Sequence, residues 1–338
     1  MSRSRFTLDL AAVRHNARLL LRELAGAELW AVVKADGYGH GAADVARAAL
    51  EGGATALCVA SVAEALELRH GVPDARILVL GPTAADEVAS AREARLELIV
   101  GGGRIPEGVA VHLKLDTGMG RWGFAELPAP GREVVGVMSH LTSSESDPGF
   151  TALQIERFRE ATDRLSHLTR HLANSAGTLG HPEAHFDAVR CGVALYGISP
   201  DGDRPEAHGL RPALRWESSL AQVKLLAPGE STGYGRQFVA ERPTWIGLVP
   251  VGYADGFRRD MTGSEVLVGG ERCRVVGAVS MDVIAIELAA ELQPGEPVTI
   301  LGDGILAEDH ARVADTIAYE IVCGLRTAGP RATREIVG

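Results

Sequence analysis

Between about residues 29 and 190 the chain alternates short β-branched, apolar runs with longer stretches whose apolar positions recur every three or four residues. Strands buried on both faces read as the first kind and the helices covering them as the second, so the rhythm predicts parallel strands joined by crossover helices. The predicted strands are Leu29 to Lys34, Ala56 to Ala60, Arg76 to Gly81, Leu96 to Val100, Val109 to Leu115, Val134 to His140, His171 to Ser175, and a short one ending near Arg190. Eight such strands predict a closed (β/α)8 barrel of the TIM type. Helices are predicted over Ala42 to Glu51, Val62 to His70, Ala84 to Ala94 and Ala152 to Leu165, where the apolar spacing gives one buried face. Two connections break the rhythm. GGGRIPEG before the fifth strand and ELPAPGRE before the sixth hold too much Gly and Pro for a crossover helix, so the barrel is expected to be trimmed there.

From about Leu220 the texture changes to short alternating or apolar runs set between turns, as in LAQVKLLAPGE, TWIGLVPVGY, EVLVGGERCRVVGAVSMDVIAIEL and PVTILGDG. This predicts a smaller, mainly antiparallel β domain over residues 220–338 after a barrel domain over residues 1–219, with the first few residues of the chain able to pair with the second domain. One late helix is expected to start at Asp309, whose carboxylate can cap the first free amides of ARVADTIAY.

A chain of 338 residues exceeds what one hydrophobic core usually serves, which agrees with two domains. Its 46% hydrophobic and 23% charged residues are those of a globular protein. The net charge of -10 weighs against a nucleic-acid binder, because such proteins use Lys and Arg to displace phosphate counterions. Cys58, Cys191, Cys273 and Cys323 lie far apart with no C-x-x-C pair, so neither a disulfide framework nor a structural metal site is expected, and a reducing, cytoplasmic setting is. The start, MSRSRFTLDL, lacks the apolar stretch of a signal peptide, and no later run has the length of a membrane span.

The strongest local signal is WAVVKADGYGHGAADVARAAL, in which an apolar strand ends in Lys34 and a glycine-rich turn leads into a helix. Barrel enzymes place their chemistry at the C-terminal ends of strands, and a desolvated lysine there has a free amine lone pair for Schiff-base formation. The same lysine can equally mark where a buried strand reaches water. GYGHG lacks the G-x-G-x-x-G spacing of a dinucleotide loop. In VHLKLDTGMGRWGF, Lys114, Asp116 and Arg121 surround another strand end. The guanidinium fork of Arg121 suits a phenolate or carboxylate oxygen, while a surface ion pair is the alternative for Lys114.

His140 closes the strand in VMSHL and either packs on an aromatic cofactor or is a hydrogen-bonded barrel histidine. Asn174 and Ser175 stand at the next strand end, where small polar groups at a helix start suit a phosphate, although Ser175 can also be a plain cap. AVRCGVALYG offers Arg190 beside the open amide of Gly192, with a salt bridge across the barrel floor as the other reading of Arg190. In the second domain Tyr253 ends the strand of VPVGYADGF, Met281 and Asp282 occupy a turn in VSMDVIAIEL, and Tyr319 lies in DTIAYEIV. Taken singly, the two tyrosines read as packing.

Taken together, AVVKADGYGHG, LKLDTGMGRWGF, ANSAGT, VRCGVALYG, VGYADGF and VSMD, in that order and over nearly the whole chain, resemble the alanine racemase family of fold-type-III pyridoxal-phosphate enzymes. The resemblance implies a homodimeric cytoplasmic isomerase that interconverts L-alanine and D-alanine for peptidoglycan, with pyridoxal 5'-phosphate as cofactor and no metal. It implies that Lys34 binds the cofactor as a Schiff base, and that Tyr38, Ser175, Tyr319 and the amides of Gly192 and Val193 hold its phosphate. Arg121 is implied at the cofactor's phenolic oxygen and the substrate carboxylate, oriented by Lys114, which is often carbamylated in the family, with Asn174 and Asp282 in support. Arg190 matches an arginine facing the pyridine nitrogen, where a cation resists ring protonation and suppresses transamination.

By the same resemblance Lys34 is the base on the D face of the substrate and Tyr253 the base on the L face. Tyr253 and Met281 reach the site from the partner subunit, and His140 tunes the proton transfer. The trimmed crossovers and the short C-terminus depart from the family's pattern without removing a motif residue, and they bear on specificity and stability. Three other readings stand beside this one: a racemase for serine or several small amino acids, a non-catalytic pyridoxal-phosphate carrier, and a decarboxylase of the same fold type. The carrier has no use for the second domain, and the decarboxylase places an acid where Arg190 stands.

Overall fold

The computed structural model describes residues 3–338 and divides into two compact units, one of residues 11–211 and one of residues up to Leu10 together with Pro212–Gly338. After β1 (Ser4–Asp9) and α1 (Leu10–Glu23), eight parallel strands close into a barrel: β2 (Glu28–Val32), β3 (Ala56–Val59), β4 (Ile77–Val79), β5 (Glu97–Val100), β6 (Ala110–Lys114), β7 (Val134–Met138), β8 (Thr169–His171) and β9 (Ala188–Cys191). Pairing of β2 with β9 completes the ring. Most strands stop short of the apolar runs that predict them, because residues just past their ends, such as Val33, Leu115 and Ala173, stay buried outside the strand pairing.

The helices follow the amphipathic stretches: α2 (Ala42–Glu51), α3 (Val62–Gly71), α4 (Val88–Glu93) after a short 3-10 turn, α5 (Pro148–Thr162) and α6 (Ser175–Gly180). Helix α5 begins ahead of the predicted Ala152 because Asp147 caps it, accepting from the Phe150 amide at 2.9 Å, and Pro148 suits the first helical position. No helix joins β5 to β6 or β6 to β7, so the two Gly- and Pro-rich connections are trimmed as their composition predicts. The barrel interior is unusual in being filled by a polar aromatic layer: Trp30, His112 and His171 are fully buried, with the Trp30 ring 4.5 Å from His171.

The second unit holds a nine-stranded sheet in the order Gln222–Leu226, Thr244–Val249, Ile284–Leu288, Glu271–Val276, Glu265–Val268, Pro297–Leu301, β10 (Leu214–Ser219), β1 and Ala332–Val337. Every pairing is antiparallel except that of β1 with Ala332–Val337. This unit begins at Pro212, ahead of the change of texture at Leu220, because β10 already pairs with β1 through Trp216 opposite Phe6. The late helix is corrected by the structure. Two short helices, α7 (Ala307–Val313) and α8 (Ala318–Cys323), replace one over ARVADTIAY, and Asp309 lies inside the first turn of α7, where it accepts from the Leu306 amide at 3.0 Å. Asp315, with φ 50, breaks the chain between them. Among the described residues no helix is long and apolar enough to cross a membrane.

Candidate active site

Lys34 stands just past β2, at the end where the loops of a (β/α) barrel converge. The next four residues, Ala35, Asp36, Gly37 and Tyr38, form a left-handed turn with φ of 53, 49, 60 and 54. Away from glycine that conformation is unfavourable by roughly 1–2 kcal/mol per residue, so the surroundings must hold it. They do so through specific bonds: the Ala35 amide donates to Glu64 Oε1 at 2.9 Å, the Gly37 amide to Val33 O at 2.9 Å, and Asp36 Oδ1 accepts from the Ala42 amide at 2.8 Å at the start of α2. The turn lays Tyr38 beside Tyr196 and against Gly192, where an added Cβ would lie 2.4 Å from the Tyr38 hydroxyl.

Ser175 Oγ accepts from the Gly192 amide at 3.0 Å and the Ala194 amide at 3.4 Å. Ser175 is not the cap of α6; Asn174 is, its Oδ1 accepting from the Gly177 amide at 2.9 Å. The amides that meet Ser175 are those flanking Val193, which opens the 3-10 turn Val193–Tyr196. Hydroxyls of Tyr38 and Ser175 and the side-chain-free Gly192 thus converge beyond β8 and β9.

Arg190, fully within β9, is buried without a carboxylate partner among the described residues. Its guanidinium donates instead to His171 Nδ1 at 2.9 Å, His140 Nδ1 at 3.1 Å, Ser139 O at 2.9 Å and Leu172 O at 3.0 Å. Burial lowers its pKa to about 10. A salt bridge across the barrel floor is therefore not its role. Because a guanidinium only donates, His140 Nδ1 accepts and the ring is neutral, with its hydrogen on Nε2. Burial, then the cations Arg190, Arg121, Lys34 and Lys114, hold His140 well below the ordinary value.

Lys114 ends β6 only 4% exposed, with Nζ 4.3 Å from the centre of the Trp122 ring. Burial and the nearby Arg121 and Arg190 lower it to about 8, which removes the surface ion pair as an account of this lysine. Asp116 shapes the turn beside it, accepting from the amides of Gly118, Met119 and Gly120 at 2.8 to 3.1 Å. Arg121 is exposed on that turn.

In the β unit, Tyr253 is 42% and Met281 51% exposed. Their loops are tied together: the Tyr253 amide donates to Ser280 O and the Ala254 amide to Met281 O, each at 3.1 Å. Arg331 bridges them further, contacting both Asp255 oxygens at 2.7 and 3.0 Å and Asp282 Oδ1 at 2.7 Å. Tyr319 lies half-buried on α8. Tyr234 was no candidate from sequence, yet it is 74% exposed, lifted on a loop with Gly233, Gly235 and Arg236 at φ of 79, 67 and 51. That loop rests on the same segment, since a Cβ on Gly277 would lie 2.9 Å from Thr232 O. Its setting between two glycines reads in sequence only as a turn.

Residues 8–200 match the model of the alanine racemase N-terminal domain, and residues 213–333 that of the alanine racemase C-terminal domain. The chain belongs to the alanine racemase family. A relative named alanine racemase from Beutenbergia cavernae is 43% identical, covering 99% of this chain and 98% of its own length, and one from Symbiobacterium thermophilum is 42% identical, covering 96% and 95%. The crystal structure of biosynthetic alanine racemase from Pseudomonas aeruginosa superposes with a TM-score of 0.92 at 37% identity, covering all of both chains. As a member of the alanine racemase family the chain is an isomerase of the racemase type.

Two expectations follow from the geometry of the barrel mouth. Gly192→Ala should lower stability by about 1–3 kcal/mol, the usual cost of forcing an atom into a packed space, because Tyr38 must move. A melting temperature equal to the parent's contradicts the contact. The second concerns pH. Burial is the first cause lowering His112, His140 and His171, outweighing the pull of Glu97 on His112 and reinforced by Arg190 on all three. Below the ordinary value of 6.5 the unfolded histidines bind protons that the folded ones refuse. Their stabilisation is therefore complete above 6.5 and is lost as pH falls from there toward the depressed values, at about 1.4 kcal/mol per pH unit for each ring. Thermal melts across that window should fall steeply with acid, and a flat profile contradicts the neutral rings.

Proposed function

We propose that this chain is a pyridoxal-phosphate-dependent racemase that interconverts L-alanine and D-alanine, working as a homodimer in the cytoplasm and making D-alanine for peptidoglycan. The observation that carries the reading is the convergence, at one barrel mouth, of a lysine, a hydroxyl-and-amide cradle and a buried arginine held by histidines rather than by an acid. These residues fit the cofactor. Lys34 would hold it through Nζ. Tyr38, Ser175, Tyr319 and the amides of Gly192 and Val193 would receive the phosphate, in a place where a Gly192 side chain has no room. Arg190 would face the ring nitrogen, and as a cation held by neutral histidines it opposes ring protonation. When bound, the cofactor acidifies the Cα–H of the amino acid joined to it.

The protein's part is to position and to move the proton. Arg121 would meet the substrate carboxylate beside Met281, with Asn174 and Asp282 in support. Lys114, at about 8, keeps a neutral fraction able to add carbon dioxide, giving a carbamate and a proton; the resulting anion would attract Arg121 instead of repelling it. Lys34 would take or deliver the proton on the D face and a tyrosine of the partner subunit on the L face, with His140 adjusting that transfer. Tyr253 is the tyrosine that the sequence pattern indicates. Tyr234 is a second reading favoured by exposure, since at 74% it projects further than Tyr253 at 42%, as a base delivered into another subunit must.

A non-catalytic carrier is disfavoured because two exposed tyrosines and Met281, carried on three loops that pack against one another, have no task in it. The protein supplied with pyridoxal phosphate should absorb near the edge of the visible range and bring either alanine enantiomer to an equal mixture on chiral chromatography. Failure of either contradicts the proposal, and equally fast serine turnover would replace alanine by the broader specificity.

A further inference from the structure

From Arg190 a line of polar groups runs on through the barrel interior, and the proposed reaction leaves its far members, His112 and Glu97, unused. Arg190 Nη1 donates to His171 Nδ1 at 2.9 Å, His171 Nε2 lies 2.9 Å from His112 Nδ1, and His112 Nε2 lies 2.8 Å from Glu97 Oε2. The other Glu97 oxygen accepts from Arg76 Nε at 2.7 Å. Glu97 is the first residue of β5, three hydrogen bonds away from Arg190.

The ends of the line fix every hydrogen within it. Arg190 can only donate, so His171 Nδ1 accepts and His171 Nε2 carries the hydrogen. His112 Nδ1 must then accept, and His112 Nε2 donates to the carboxylate. Both rings are neutral, in keeping with their burial. Burial alone would push the Glu97 carboxyl up, but the bonds from His112 and Arg76 prevail and hold it at about 2, so the accepting end stays an anion. The strands make room for the line. A Cβ on Gly136 of β7 would lie 2.1 Å from His112 Nδ1, and β6 slips register between Val111 and His112.

We propose that Glu97 is a positioning residue for the reaction, acting through His112 and His171 to fix the tautomer of each and so lock Arg190 as a donor facing the cofactor's ring nitrogen. The inference rests on the role given to Arg190 above. A carboxylate accepts at both oxygens, whereas an amide has one acceptor and one donor. In Glu97→Gln the charge-assisted bond from Arg76 claims the amide oxygen, leaving the amide nitrogen toward His112. His112 then accepts at Nε2 and donates from Nδ1, His171 reverses in turn, and its Nδ1–H meets a guanidinium that has no acceptor. Arg190 loses its fixed orientation, and the ring nitrogen is opened to protonation.

Histidine-selective 15N NMR of the cofactor-loaded protein reads the line directly. The parent should show His112 and His171 both carrying hydrogen on Nε2, unchanged from neutral to mildly alkaline pH, and E97Q should show both reversed. In E97Q kcat should fall by roughly 10- to 100-fold, the range for partners that orient a functional ligand, with KM little changed. Pyruvate per racemisation event should rise, the alanine amino group passing to the cofactor's aldehyde carbon to leave pyridoxamine phosphate. Glu97→Asp, with two accepting oxygens, should keep the parent's tautomers. Should E97Q not fold, His112→Phe cuts the line at its middle and should raise pyruvate in the same way. Hydrogen on Nδ1 of His112 or His171 in the parent, or a variant with unchanged kcat and pyruvate fraction, overturns the proposal. A protein that binds no pyridoxal phosphate contradicts the cofactor reading instead, and the spectrum of the unloaded protein still reads the tautomers.

Discussion

Lys34→Ala is expected to abolish the visible absorbance of the loaded protein and to lower racemisation by at least about 1000-fold. One side chain carries two functions, the bond to the cofactor and the proton transfer on the D face, and general acid–base catalysis alone contributes about 10^2–10^4. The fold should survive. Lys34 is only half-buried and lies in the turn after β2, so its truncation opens no cavity in the core. A variant that keeps both the absorbance and more than a tenth of the activity contradicts the role of Lys34; one that loses both together with its thermal transition reports only unfolding. Lys34→Arg then separates the two, since it keeps the charge and bulk without a nucleophilic amine.

The second large effect is expected from the tyrosine on the L face. The enantiomers of alanine are equal in free energy, so kcat/KM must fall by the same factor in both directions, about 10^2–10^4 for loss of a general base. The asymmetry appears in isotope exchange instead. In deuterium oxide the Phe variant should still exchange the Cα hydrogen of D-alanine through Lys34, without inversion, while L-alanine hardly exchanges. Tyr253→Phe and Tyr234→Phe therefore form a pair, and the one with this signature names the base. Should both variants racemise as the parent does, no tyrosine of the β unit serves as the second base.

How much of this was legible depends on how local each signal is. Lys34, Ser175, Arg190 and Gly192 could be singled out because strand period and strand-end position are written in consecutive residues. The left-handed turn after Lys34 could not, since its stability depends on Glu64, which reaches it from another helix. Glu97, His112 and His171 read as ordinary strand residues, and only closure of the barrel brings them into line. Trp216 shows why the unit boundary was misplaced from texture alone. It sits in β10, before the turn-rich region begins, and stacks on Phe6 with ring centres 5.0 Å apart, a pairing between residues far apart in sequence. Tyr234 was hidden differently, because Gly-Tyr-Gly has the composition of any turn.

Only three lysines occur in the whole chain, Lys34, Lys114 and Lys224, which makes the central claim directly testable. Borohydride reduction of the loaded protein fixes a Schiff base as a stable amine, and peptide mass spectrometry then locates the pyridoxyl phosphate. The added mass is expected on Lys34 and on neither of the others. A label on Lys114 or Lys224, or none on any lysine of a protein that racemises alanine, would contradict it.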